Sequence, residues 1–299
     1  MRLPNFFKHP MGTATTQTSG SPAPADQDSG LADSIAALKT RVDFLEKQLL
    51  LLENHHTRGF WHALDIAHEA TLASQIINCI ICDHAGTRSS YEVLTATCQF
   101  NGGRLERYRC PFCDCVFGAE KFLRIDDAML DLDYRLLYSR YAEGNTTENE
   151  VRAFRSLNPQ KGPLYINWGS GAWNTTVKDL RDEGYNIWGF EPSAEAPDEY
   201  TVRNTIEMTQ TIEGIFSNNV IEHFRDPVKQ FLDFSALLAP GTRMAHASPC
   251  YEYLYEYTRF HTVFLLGRSP EVLASRTGFR VVDFVNDGPY KNCIFEKLR

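Results

Sequence analysis

An α/β fold built on a mainly parallel sheet is predicted for residues 162–299 of this 299-residue chain. Three observations predict it. From Leu164 onward, short apolar runs of strand length alternate with helical stretches, the pattern left by parallel strands and their crossover helices. The run Tyr165-Ile-Asn-Trp168 enters a glycine turn, Gly169-Ser-Gly171, and then a helix start, the outline of a nucleotide-binding βα unit. Asn286-Asp-Gly288 separates the last two runs, and Asp-Gly between strands is a hairpin turn.

Taken in order, the strands are expected at Leu164–Trp168, Asn186–Glu191, Gly214–Ser217, Arg243–Ala247, Arg280–Val285 and Asn292–Lys297, with a weaker one at Tyr200–Asn204. Helices fit Thr175–Glu183, Pro227–Leu238 and Pro270–Thr277. Gly184, Gly241 and Gly278 stand where these helices stop, as left-handed caps should.

The region before the sheet divides further. Residues 1–30 are small, polar and Pro-containing and read as a disordered tail that buries too little surface to order itself. Residues 31–57 form a coiled-coil helix. Leu31, Ile35, Leu38, Val42, Leu45, Leu49 and Leu52 follow a 4,3 spacing, with Ile35, Val42 and Leu49 at a and the leucines 31, 38, 45 and 52 at d. β-Branched residues at a with Leu at d favour two parallel strands, so residues 31–56 are expected to join copies into a homo-oligomer, Arg41 at g facing Glu46 at e of the partner. The competing reading is an amphipathic helix packed on its own domain. Gly59 is expected to break the helix, with a second one from Phe60 to Ile76. Residues 58–125 then hold that helix and a cysteine-bearing domain, and residues 126–161 a helical linker.

Composition narrows the function. A hydrophobic content of 43 % supports a core and more than one folded unit. A net charge of −8 repels phosphate backbones, so general nucleic-acid binding is not expected. No apolar run approaches the roughly 20 residues that span a bilayer, and the N-terminus lacks the apolar core of a signal peptide. The expected compartment is the cytoplasm, where thiols stay reduced. Eight cysteines there suggest metal or buried thiols before disulfides.

Four of them form two C-x-x-C knuckles, Cys79-Ile-Ile-Cys82 and Cys110-Pro-Phe-Cys113. Each knuckle can present two thiolates on one side of a tight turn, and two knuckles complete a tetrahedral S₄ site for structural Zn²⁺ with no coordination place left for water. The bland alternative is four buried or redox thiols. The intervening residues 83–109 can form a hairpin. Cys115 could replace Cys113, although the spacing prefers Cys113. Cys98, Cys250 and Cys293 are expected as buried small hydrophobes.

Gly169 and Gly171 permit a tight bend and a close approach to a ligand, and Glu191 follows at the end of the second strand, where an acid can hold ribose hydroxyls. At this point "LYINWGSGAW", "IFSNNVIEHFRDPVKQFLDFSALLAPGTRMAHASP" and "RFHTVFLLGRSPEVLASRTGFRVVDF" together resemble the class I S-adenosylmethionine-dependent methyltransferases. The resemblance covers about residues 160–299 and implies a Rossmann-like methyltransferase sheet. Zinc knuckles ahead of such a domain also resemble some bacterial sugar methyltransferases. The likeness implies that Gly169, Ser170 and Gly171 line the methionine part of S-adenosylmethionine, that Glu191 takes the ribose hydroxyls, and that Asn218 lies near the sulfonium. Asn167 stands where the family has Asp, Trp173 where it has a third Gly, and Gly214 where an Asp often opens the fourth strand. The backbone donors of the turn need no side chain.

The reaction implied is methyl transfer, most plausibly to a hydroxyl of a sugar or polysaccharide. The alternatives are a degenerate scaffold that oligomerises through its coiled coil, and C- or N-methylation of a small metabolite. A poor nucleophile needs a base, and the candidates are His261, His223 and His246. Tyr251, Tyr253, Tyr255 and Tyr257 precede His261 and suit a glycan lining, or else one side of an edge strand. Glu222-His223 resembles part of a metal-holding Glu-x-x-Glu-His group, but Asn219 replaces the first acid, so no metal is expected there and a capping or pocket-ordering role is. Tyr138 and Tyr141 are expected to pack in the core rather than close over the cofactor.

Overall fold

The computed structural model describes residues 24–72, 74–141, 144–171, 175–194, 198–205 and 211–298. Expectations for residues 1–23 and for Trp173 fall outside them. Helix α1 runs from Pro24 to Thr71, and the chain divides into two compact units at His55/His56.

In the first unit the helix begins before the expected position, so residues 24–30 are helical rather than disordered. Every seam residue from Leu31 to Leu52 is exposed, between 45 % and 65 %. Gly59, in the second unit, does not break the helix. Its cost of about 1 kcal/mol against Ala is outweighed just beyond it, where Trp61 is buried against Phe122 and Phe260 with Phe60 and Leu64 alongside.

The second unit continues with a two-stranded ladder, β1 (Ile77–Asn78) and β2 (Ala85–Gly86), then β3 (Glu92–Thr97), β4 (Arg104–Arg109) and β5 (Val116–Gly118). β3 and β4 form the expected hairpin. Helices α2 (Glu120–Leu123), α3 (Asp127–Tyr138) and α4 (Thr147–Ser156) follow, α3 opened by Asp126 accepting from Met129 N.

The main sheet comprises β6 (Leu164–Trp168), β7 (Asn186–Phe190), β8 (Thr201–Val202), β9 (Ile212–Asn218), β10 (Leu238–Ala247), β12 (Phe279–Asp287) and β13 (Tyr290–Lys297). The strand between them in sequence, β11 (Val263–Phe264), belongs elsewhere. The crossover helices are α5 (Thr175–Asp182), α6 (Pro227–Leu237) and α7 (Ser269–Thr277). Strand order is β12-β13-β10-β9-β6-β7-β8. β8, β7, β6, β9 and β10 are parallel, and β13 pairs antiparallel with both β10 and β12. This is the expected Rossmann-like sheet closed by an antiparallel hairpin. Side chains alternate across it as a pleated strand requires: Leu164, Ile166 and Trp168 enter one core, Tyr165 the other with Phe154 of α4. Gly241 is not a helix cap. It lies within β10 at φ 86°, where the pairing with β9 shifts register between Leu238 and Arg243.

The cysteine-bearing region is not a separate domain. β11, on the segment between β10 and α7, pairs antiparallel with β5 and completes a four-stranded sheet in the order β11-β5-β4-β3. The segment is tied down further by Arg107 of β4, a fully buried guanidinium that donates to the carbonyls of Glu256 and Thr258 at 2.6 Å and of His261 at 3.1 Å. Arg259 returns the grip, donating to Phe100 O and pairing with Asp133 of α3, both at 2.6 Å. Among the described residues no helix is long and apolar enough to cross a membrane.

Candidate functional site

The two knuckles fold alike. Cys79 N donates to His84 O and Asp83 N to Cys79 O; Cys110 N donates to Cys115 O and Asp114 N to Cys110 O. Asp83 and Asp114 sit at φ 59° and 67°, the left-handed position that Asp tolerates. The turns bring the sulfurs of Cys79, Cys82, Cys110 and Cys113 within 4.8 Å of one another. Sγ–Sγ separations are 3.6 Å for Cys79–Cys113 and 3.5 Å for Cys82–Cys110. Four thiolates at about 2.3 Å from a tetrahedral ion lie about 3.8 Å apart, so the set is shaped to hold one. Cys115 closes the second turn through its carbonyl, and burial pushes its thiol well up, away from the thiolate form.

At the end of β6 the chain turns through Gly169 and Gly171 at φ 71° and 73°. A Cβ on Gly169 would lie 2.6 Å from Val220 Cγ2, whereas one on Gly171 would meet nothing within 4 Å among the described residues. The turn borders a cavity of about 590 Å³ lined by Trp168, Gly169, Glu191, Pro192, Thr205 and Val220, among others, within the size range of small-molecule sites. Glu191 faces the turn: its Oε2 accepts from Gly171 N at 3.2 Å and its Oε1 from Ser193 N at 3.1 Å. Asn218, at the end of β9, buries a side-chain nitrogen that finds no partner among the described residues. The cavity, with the Glu191 carboxylate in its wall, fits a polar nucleoside ligand, while Asn218 is not among the residues that line it.

One expectation fails here. The amides of the turn are not bare: Gly169 N and Ser170 N donate to Phe190 O at 2.9 and 3.3 Å, because strand pairing between β6 and β7 carries on past Trp168, and Gly171 N is taken by Glu191. The grip on a ligand therefore falls to side chains. Asn167, 1 % exposed, does not act alone either. Its Nδ2 donates at 2.7 Å to Oε2 of Glu150 on α4.

The histidines are brought together by the same segment that supplies β11. Glu222, His223 and His261 each place a donor atom within 4.8 Å of the others, with the two imidazole rings 5.1 Å apart. Asn219 is therefore not the partner that decides this group; His261 supplies the third position. His223 Nδ1 lies 3.1 Å from both the Tyr134 hydroxyl and the Phe260 carbonyl. Nδ1 on a backbone carbonyl is the arrangement of proton-handling and metal-holding imidazoles alike. Burial pulls His223 down to about 4. His261 falls to about 2 through burial, then the neighbouring His223 and Arg107. Both imidazoles are neutral at pH 7. His261 Nδ1 faces Cys250 Sγ at 3.6 Å, and the ring also engages the backbone of Tyr255. His246 stands apart in the core of the sheet, fully buried between Phe231, Phe234 and Phe295, with Nδ1 on Ser217 Oγ at 2.8 Å; it cannot reach an acceptor.

The tyrosine segment is not an edge strand. Tyr251 is buried with its hydroxyl on His246 O, and Tyr253 packs edge-on against Phe264. Tyr255 and Tyr257 are exposed, and Tyr255 lies beside His261. Tyr138 and Tyr141 are exposed too, so the expected core packing does not hold for them. Sequence reasoning missed Glu150, Tyr134, Trp168 and Arg107. None left a local signal: β4, which carries Arg107, is buried at four successive positions and does not alternate.

Residues 156–282 match the family model described as a methyltransferase domain. No curated protein matches the chain in sequence. Among solved structures, the chain is similar to human N-acetylserotonin methyltransferase in complex with SAM, at 14 % identity and TM-score 0.42, over 60 % of this chain and 56 % of that one. It is similar to the Burkholderia thailandensis 1,6-didemethyltoxoflavin-N1-methyltransferase, at 14 % identity and TM-score 0.42, over 70 % of this chain and 100 % of that one. It is also similar to an S-adenosylmethionine-dependent methyltransferase from Mesorhizobium loti, at 12 % identity and TM-score 0.38, over 50 % of this chain and 98 % of that one. The match covers less than half of the chain and, with the glycine turn, makes residues 156–282 a methyltransferase domain.

Proposed function

We propose that the enzyme methylates a hydroxyl of a sugar or polysaccharide, in the cytoplasm, as a homo-oligomer joined through residues 31–56 and stapled by one structural Zn²⁺ on Cys79, Cys82, Cys110 and Cys113. The observation that carries the acceptor assignment is the convergence of Glu222, His223 and His261 beside the exposed ring of Tyr255. Flat aromatic faces next to proton acceptors are what a carbohydrate hydroxyl needs.

S-adenosylmethionine supplies a methyl carbon already activated by its sulfonium. Gly169, Ser170 and Gly171 let it approach the chain, Glu191 takes the ribose hydroxyls, and Asn218 offers its buried amide. What remains for the protein is to align the acceptor and remove its proton. His261 Nε2 takes that proton. Burial and the nearby Arg107 keep it neutral and able to accept a proton; His223, fixed by Tyr134 and Phe260, holds the imidazole wall in place. Zinc acts at a distance. It fixes the sheet from which Arg107 clamps the carbonyls of residues 256–261, so the cysteine centre sets the shape of the acceptor segment. The exposed heptad seam supports pairing with a second copy.

The test is transfer of labelled methyl groups to a panel of saccharides by wild type and His261→Ala. A base is worth roughly 10²-fold or more in rate, and the product should carry the label as an ether. A loss under tenfold, or label appearing only on nitrogen or carbon acceptors, contradicts the assignment.

A further inference from the structure

We propose that Tyr255, with Tyr257 and Tyr141 beyond it, forms a platform that carries a neutral saccharide chain, several sugar rings long, past His261; this rests on the carbohydrate reading above. A glycosyl unit offers a rim of hydroxyls and a flatter face of C–H groups. A phenol can meet the face with its ring and the rim with its hydroxyl, so tyrosine is amphipathic in the same way as the ligand.

Tyr255 is held in an unfavourable conformation. Its φ is 58°, in the left-handed region that a bulky side chain rarely enters and that surrounding structure must impose. That structure is present. Arg107 holds the carbonyls of Glu256, Thr258 and His261, and the Tyr255 backbone engages the His261 ring. Yet the side chain so presented enters no core: it is 47 % exposed. Its ring neighbours, His261 at 6.5 Å and Tyr257 at 5.9 Å, stand edge-on at 81° and 71°, so neither stacks on it. A strained residue that packs against so little points to a ligand.

The exposed rings continue beyond Tyr255. Tyr257 and Tyr141 are exposed as well, and the turn between β3 and β4 joins them: Gln99 N donates to Tyr257 O at 2.9 Å, and the next residue, Phe100, meets the Tyr141 ring edge-on at 5.7 Å. Three separate segments thus bring exposed phenols into one band that begins at His261. The 5.9 Å step from Tyr255 to Tyr257 is close to the length of one glycosyl unit. The net charge of −8, with Glu256 between the two tyrosines, disfavours an acidic chain. Rings that each carry a hydroxyl favour a saccharide over the apolar core of a protein partner.

The experiment is calorimetry on the full chain with neutral hexasaccharides of glucose, mannose, galactose and N-acetylglucosamine, with the matching monosaccharides, and with S-adenosylhomocysteine as control. At least one hexasaccharide should bind wild type, about tenfold or more tighter than its monosaccharide. Tyr255→Ala should weaken that binding by about tenfold, the worth of one aromatic contact, and Tyr255→Phe should keep most of it. Tyr255→Gly separates binding from folding. Glycine adopts this φ freely, so the variant should unfold at a higher temperature than wild type and still bind the hexasaccharide about tenfold more weakly. All three variants should bind S-adenosylhomocysteine as wild type does. Hexasaccharide and monosaccharide bound equally, or hexasaccharide binding indifferent to Tyr255, overturns the platform and leaves the carbohydrate reading standing. Binding of no saccharide, with S-adenosylhomocysteine still bound, removes both and leaves the tyrosine band to a protein partner.

Discussion

His246 makes the chain acid-sensitive by an amount that can be worked out. Burial among aromatic rings pulls its pKa from 6.5 to about 3. The folded-state value is below the unfolded one, so the unfolded chain binds the proton more readily. The stability this neutral imidazole contributes is present above pH 6.5 and is lost as pH falls below it, continuing down to about 3. Linkage gives a loss of about 1.4 kcal/mol per pH unit in that window, or about 2 kcal/mol between pH 7.5 and 5.0. The assay is urea unfolding of wild type and His246→Leu at both pH values. Metal release and the other histidines affect both proteins alike and cancel in the difference. Wild type should lose about 2 kcal/mol more than the variant. Equal losses would refute the reasoning, meaning that His246 either charges within the fold or is solvated.

Three further outcomes are expected. Cys113→Ser should abolish stoichiometric zinc, measured by mass spectrometry of the purified protein, while Cys115→Ser should retain it, because the Cys115 carbonyl closes the knuckle and its side chain only hydrogen-bonds the Cys79 sulfur, a contact a hydroxyl can keep. Leu38→Lys with Leu45→Lys places charges at two d positions and should turn the oligomer into a monomer in sedimentation, with S-adenosylhomocysteine affinity unchanged. Arg107→Met removes the donors to three carbonyls, and a buried acceptor left unmet costs about 1–3 kcal/mol; amide exchange across residues 256–261 should quicken, and KM for the acceptor should rise by more than the Kd of S-adenosylhomocysteine.

The main sheet was legible in the sequence because its strands obey local rules. Alternation and turn residues placed all six principal strands from Leu164 onward and the weak one, now Thr201–Val202. The knuckles were legible for the same reason: each is a turn defined by a few adjacent residues. What was illegible is non-local. β11 is two residues long and carries no period, so the fusion of the cysteine sheet with the segment after β10 left no trace. Gly59 misled because propensity is a small term where Trp61 is buried just beyond it. The bare-amide expectation failed because sheet pairing overran the strand end. Glu150 and Asn167 belong to different elements, and nothing in either segment announces the other; the same holds for Glu222 and His261.

Catalysis requires that the hollow at Gly169–Gly171 seat a sulfonium nucleoside with Glu191 on its ribose. Calorimetric titration of wild type and Glu191→Ala with S-adenosylhomocysteine measures this directly. One saturable site per chain in wild type, weakened at least about tenfold in the variant, is the predicted result. No binding by wild type at millimolar ligand, or binding indifferent to Glu191, would contradict it.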